Sequence, residues 1–251
     1  MLARDIRHAI DPAAFAFACG IDCDPWQRDF LCSVSKRTLE LAARQVGKTT
    51  VTSVKAFHAA TYEPDSLILV IAPAERQSKE FVRGVVQLHK NLDGAVPFSA
   101  QSVTKLEFEN GSRIWALPGG DDGKGIRGLA APRLVILDEA AQIPDALLGV
   151  VRPMMATNPK AEMIALSTPF GKRGWFYEAW TGGDPVWSRV KVTVDMCPRI
   201  TPEFLEEERR ALGQTMFESE YGLVFHDDSM AAFPTHIIDG IFNKELRALW
   251  R

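Results

Sequence analysis

Apolar residues in this chain follow two rhythms. Leu67 to Ala72, Leu134 to Leu137 and Met163 to Leu166 are apolar throughout, the signature of strands covered on both faces in a parallel sheet. Leu39 to Ala42 reads as a further short strand that runs through a loop into a helix from Thr49 to Ala60. From Ala74 to Lys90 the spacing turns helical, with Phe81, Val85 and Leu88 forming one core-facing stripe. Lys105 to Glu109 and Arg113 to Leu117 flank Asn110-Gly111, a pair suited to the positive φ angles of a tight turn, and predict a β-hairpin inserted between parallel strands. Ser188 to Val194 alternates Val190, Val192 and Val194 with polar neighbours, as a half-exposed or edge strand does. Thr201-Pro202 supplies the cap and first turn of a charged helix, Glu203 to Leu212. The order of elements predicts an α/β fold with a mostly parallel central sheet flanked by helices.

Bulk properties narrow this only a little. A chain of 251 residues accommodates one large α/β domain, or one domain with a small appendage, and leaves two full domains cramped. Its 46% hydrophobic and 24% charged content argues against disorder. A net charge of −3 excludes a uniformly basic nucleic-acid coat but leaves room for a local basic face. Neither a signal-peptide core nor an apolar run long enough for a bilayer is present, so a cytosolic protein without a membrane partner is expected. Cys19, Cys23, Cys32 and Cys197 read as free thiols, since no spacing among them and the scattered histidines completes a zinc set.

Chemistry concentrates at the ends of the strands. Ala42-Ala43-Arg44-Gln45-Val46-Gly47-Lys48-Thr49 has the spacing of a phosphate-binding loop with alanine in place of the first glycine. Gly47 permits close approach of backbone to phosphate, Lys48 reaches the β and γ phosphates, and the Thr49 hydroxyl suits Mg²⁺; Thr50 follows in the first helical turn, whose N-terminus favours an anion. Ninety residues on, the strand Leu134 to Leu137 ends in Asp138-Glu139. Asp138 is placed to hold the metal through water and Glu139 to polarise an attacking water; the bland alternative is an acidic helix start. Asp24-Pro25-Trp26-Gln27 carries an aromatic and an amide suited to stack on and read adenine, and equally reads as a capped helix start with Trp26 buried. Ser167-Thr168-Pro169 ends another apolar strand with hydroxyls near where a γ-phosphate would lie, and is by itself better read as a turn and cap.

Together, Trp26-Gln27, the loop with its internal Arg44, the Val135 to Ala140 acid motif and Leu166 to Pro169 resemble the ATPase domain of phage large terminases, over about Asp24 to Phe225. Phe217 to Gly222 resembles the point where that domain hands over to the next. The resemblance implies an ASCE-type, RecA-like P-loop sheet that hydrolyses ATP with Mg²⁺ and drives double-stranded DNA into a procapsid in the host cytoplasm. Implied partners are the portal, a small terminase subunit and other copies of the chain in a homo-oligomeric ring, taken as a pentamer, formed from subunits that are monomeric in isolation. It assigns Lys48 and Thr49 to phosphate and metal, Asp138 to metal, Glu139 to catalysis, and Ser167, Thr168 and Pro169 to coupling. Arg44 becomes a phosphate-facing arginine in cis, and Arg127, within the glycine-flanked Gly123 to Gly128, an arginine that reaches the neighbouring subunit's ATP. Residues 1–225, with a helical lead-in over about 1–35, then form the ATPase domain, and 226–251 an extension.

One departure matters. Complete large terminases continue into an RNase H-like nuclease, and Asp227, Asp228 and Asp239 are too few to build its two-metal site, so no nuclease activity is expected. Two other classes stay open: a helicase or remodelling ATPase using the same chemistry, for which a second RecA-like lobe finds no room, and an adaptor that binds nucleotide without turnover, which would not need Glu139. Lys124, Arg127, Lys172 and Arg173 lie in glycine-rich stretches suited to DNA phosphates.

Overall fold

Every residue of β2 (Leu67–Ala72) and β6 (Leu134–Asp138) is buried, which requires helical layers on both faces of the sheet they share. The structure is a computed structural model and describes residues 2–119, 125, 126, 128, 129 and 131–227. Arg127 and Lys124, as well as Asp228, Asp239 and the rest of the extension beyond Asp227, lie outside the described residues.

Among the described residues the sheet has eight strands. β1 (Arg37–Ala42) lies between β7 (Glu162–Ser167) and the edge strand β8 (Ser188–Val192), and β6 lies between β7 and β2; all of these pairings are parallel. β5 (Arg113–Pro118) pairs in parallel with β2 and antiparallel with β4 (Lys105–Phe108), so the expected hairpin shares its second strand with the parallel sheet. β3 (Phe98–Gln101) then closes that edge antiparallel to β4.

Helices α4 (Lys48–Tyr62) and α5 (Glu75–Asn91) pack together and onto β2 and β5. Phe81, Val85 and Leu88 are buried, as their stripe predicts. Three N-terminal helices, α1 (Leu2–Ile10), α2 (Pro12–Ala18) and α3 (Pro25–Cys32), lead in, and α2 and α3 rest on α4. There Phe15 meets Phe57 with ring centroids 5.2 Å apart, and Phe57 stacks on Phe108 of β4, joining the lead-in to the sheet. α6 (Asp145–Met154) follows β6, and α7 (Gly174–Thr181) follows β7; Asp145 accepts from the Trp175 N–H at 3.0 Å, and the Trp175 indole donates to the Ile143 carbonyl, which pins α7 beside α6. α8 (Pro202–Leu212) and α9 (Gln214–Glu220) end the described fold. One hydrophobic cluster runs from Phe15 to Leu223.

This topology gathers distant sequence at one edge. Leu41 is in register with Ser167, and Leu166 with Asp138, so the carboxyl ends of β1, β7 and β6 lie side by side. In open parallel sheets that edge is where ligands bind.

Candidate functional site

The loop leaving β1 takes its shape from two left-handed residues. Gln45 has φ 65° and Gly47 φ 94°, conformations that turn successive backbone N–H groups toward one point, as in anion-binding nests. Gly47's backbone angle is one that side-chain-bearing residues rarely adopt, and a Cβ there would also lie 2.7 Å from the Gln27 amide nitrogen and force that side chain to shift. The Ala43 N–H donates to the Val192 carbonyl at 2.9 Å and the Arg44 N–H to the Glu220 carbonyl at 2.8 Å, fixing the loop to β8 and α9. α4 begins at Lys48, with its N-terminus toward the same space.

Opposite stands the end of β6. Glu139 occupies the left-handed region at φ 51°, an unfavourable conformation for a non-glycine residue that aims its side chain back at the loop. Its carboxylate lies 3.2 Å from the Lys48 ammonium. Its second oxygen accepts from the Ser167 hydroxyl at 3.5 Å, and Ser167 in turn accepts from the Ala141 N–H at 3.3 Å. Asp138 accepts from the Glu139 N–H at 3.1 Å and, at the outer limit of a hydrogen bond, from the Thr49 hydroxyl at 3.5 Å. Burial, reinforced by the neighbouring Glu139 carboxylate, pushes the Asp138 carboxyl up to about 6. A hydroxyl and a carboxylate this close form an all-oxygen pair suited to a hard cation that keeps most of its waters, and the charge of such a cation would relieve the cost of burying Asp138.

A cavity of about 600 Å³ opens between these walls, lined by Gln27, Arg44, Gln45, Gly47, Lys48, Thr49, Thr50 and Glu139 together with Gly20 to Asp22 and Arg199. Ala42, Ala43 and Val46 are wholly buried and serve as the loop's foundation. Trp26 does not reach the cavity: only 4% exposed, its ring joins the core, so the capped-helix reading of Asp24 to Gln27 describes it and adenine stacking does not. Gln27 does reach it, although its side-chain carbonyl already accepts from the Asp24 N–H at 3.0 Å. Ser167 and Thr168 are buried beneath the cavity, and Ser167 touches Glu139 instead of open space.

Residues 39–239 match the family described as terminase large subunit, T4likevirus-type, N-terminal. The chain belongs to that family. Among solved structures, the large terminase ATPase domain of Thermus phage P74-26 is similar with a TM-score of 0.73 at 25% identity, covering 84% of this chain and 97% of that one. The large terminase of a second thermophilic bacteriophage, in complex with ADP, matches at 0.67 and 13% identity over 81% of this chain and 54% of that one. That of bacteriophage HK97 matches at 0.65 and 18% over 81% and 50%. This member of the large-terminase family therefore spans about half the length of the latter two proteins, with which it shares the fold.

Three features of the site lie beyond the roles that the sequence motifs assign. Arg199 enters the cavity from the loop after β8, held by Asp24 across a separation of 175 residues. Glu40 lies inside β1, fully buried, with both carboxylate oxygens lacking a hydrogen-bond partner. α9 touches two parts of the site at once: besides the backbone bond to Arg44, Glu220 lies 3.8 Å from its guanidinium, and Ser219 donates to the Pro169 carbonyl at 3.1 Å. Of the basic residues considered for DNA, Lys172 pairs with Asp227 at 3.4 Å, and the Arg173 guanidinium lies over the Phe170 ring.

Proposed function

We propose that this chain is the ATP-hydrolysing motor domain of a large terminase, with hydrolysis at the cavity between Lys48 and Glu139. The observation that carries the reading is the convergence of Lys48 with Glu139 and of Thr49 with Asp138, the first turn of α4 meeting the end of β6 about ninety residues away in sequence. Phosphates would take the place at the loop where Gln45 and Gly47 turn the backbone N–H groups inward, and Lys48 would exchange its carboxylate partner for phosphate oxygens. Glu139, released from that pair, is then free to hold and polarise a water for in-line attack, while the Ser167 hydroxyl fixes its orientation. Thr49 and Asp138 would hold Mg²⁺, whose charge would offset that developing on the phosphoryl oxygens.

Coupling would run from Glu139 through Ser167, Thr168 and Pro169 into α9, supported by the contact of Ser219 with Pro169 and of Glu220 with Arg44. The likeness to an ATPase domain from a phage terminase supports the wider reading. In it, residues 1–225 form the motor unit and 226–251 the extension. A ring of such units, set on a portal and served by a small terminase subunit, translocates double-stranded DNA into a procapsid in the host cytoplasm. Lys48→Ala tests the site: ATP turnover should fall by roughly 10² to 10³, the usual cost of removing one preorganised group that stabilises developing negative charge. Turnover at the unsubstituted rate would remove the phosphate-loop assignment.

A further inference from the structure

Among the described residues, no aromatic ring lines the cavity. Its lining, among the described residues, consists of Gly20, Ile21 and Asp22, the Gln27 amide, the phosphate loop, Glu139 and Arg199, and the one nearby tryptophan is packed into the core. Two guanidinium groups line the cavity: Arg44, within the phosphate loop, and Arg199, outside that loop and paired with Asp24 at the start of the helix that carries Gln27. The Arg199 guanidinium makes a bidentate pair with Asp24, at 2.9 and 2.8 Å, and one of the same nitrogens lies 3.3 Å from the Cys197 sulfur. The Asp24 carboxylate is nearly inaccessible, whereas more than half of the Arg199 side chain remains exposed.

This geometry decides what the arginine can offer a ligand. A bidentate carboxylate occupies the hydrogen-bonding edge of a guanidinium and offsets its charge, leaving a flat, weakly hydrated face whose orientation is fixed. Such a face suits a nucleobase better than a phosphate. We infer that Arg199 is the base-stacking residue of the nucleotide cavity, with Asp24 as the positioning residue that holds its plane. One acidic residue thus ties the N-terminus of α3, which carries Gln27, to the loop that carries the platform. The inference rests on the nucleotide-binding reading of the cavity and adds to it a determinant for the base.

Calorimetric titration of the full chain with ADP and, separately, with inorganic pyrophosphate in the presence of magnesium separates the possibilities, because only ADP carries a base. Arg199→Ala should weaken ADP binding by about tenfold, as loss of one stacking platform does, and leave pyrophosphate binding unchanged. Arg199→Lys, which keeps the ion pair with Asp24 and so the fold, should weaken ADP binding to the same extent, because it keeps the charge without the plane. Equal loss for ADP and pyrophosphate in the lysine variant would make Arg199 a phosphate or fold-holding residue and overturn the assignment, as would full retention of ADP affinity in both variants. Failure of the unsubstituted chain to bind either ligand would instead overturn the reading of the cavity itself.

Discussion

The Lys48 ammonium and the Glu139 carboxylate satisfy one another at 3.2 Å, so neither meets the protein's interior as a lone charge. Glu40 has no such arrangement. It sits in β1 with both oxygens unpartnered, and burial pushes its carboxyl from 4.5 up to about 8, Lys48 pulling it down and Asp138 pushing it further up. The sign of the stability effect follows from the folded value lying above the unfolded one. Below about 4.5 both states hold the proton and Glu40 costs nothing by ionisation. Between about 4.5 and 8 the unfolded chain releases a proton that the folded chain retains, so stability falls as pH rises, and above 8 the full penalty applies. Glu40→Gln should therefore increase the unfolding free energy at about pH 9 by an amount on the order of a few kcal/mol, seen as a higher thermal midpoint, and change it little near pH 5. An equal effect at both pH values, measured by thermal unfolding, would show that the carboxyl does not titrate in this window.

At the scale of elements, α4 links chemistry to scaffold. Its first turn carries Lys48 and Thr49, and its third buries Phe57 between Phe15 of the lead-in and Phe108 of the sheet. Phe57→Ala should cost roughly 3–5 kcal/mol in denaturant unfolding, the range for a large aromatic lost from a closed core. A cost below about 1 kcal/mol would mean that α2 is not packed there as described. Elements dictated by burial alone were legible in the sequence: β2, β6, β7 and α5 declare themselves by continuous or helically spaced apolar residues. Others were hidden for physical reasons. β1 begins two residues earlier than its apolar run because Arg37 and Thr38 precede it, and its Glu40 contradicts the pattern of a buried strand. β3 is an edge strand with mostly exposed residues, so no alternation marks it. The phosphate loop, the acid pair and the hydroxyl motif were readable because each is local, at the end of a strand. Arg199 was not, since its role exists only once the chain has folded Asp24 against it, and Trp26 was ambiguous because an aromatic ring serves a core as well as a base.

For the whole molecule, the proposed motor needs more than one subunit. Arg44 is the arginine of the loop itself, held by Glu220; Arg127, outside the described residues, is proposed to act on the neighbour's nucleotide, where such a finger contributes roughly 10³ to 10⁵ in rate. Turnover per subunit should then rise steeply on assembly, and Arg127→Ala should bind ATP normally yet hydrolyse almost none. Mixing Arg127→Ala with Glu139→Gln subunits should restore part of the activity, each supplying what the other lacks; no recovery in demonstrably mixed assemblies would return Arg127 to a DNA-contact role. Whether this cavity turns over ATP with Glu139 as the group that activates water is tested by measuring nucleotide affinity and single-turnover hydrolysis together in Glu139→Gln. ATP should bind at least as tightly as in the unsubstituted chain, since Lys48 loses its competing carboxylate, with hydrolysis reduced by roughly 10² or more. Hydrolysis that persists at the original rate, or an affinity that collapses while Asp138→Asn leaves it intact, would contradict that role for Glu139.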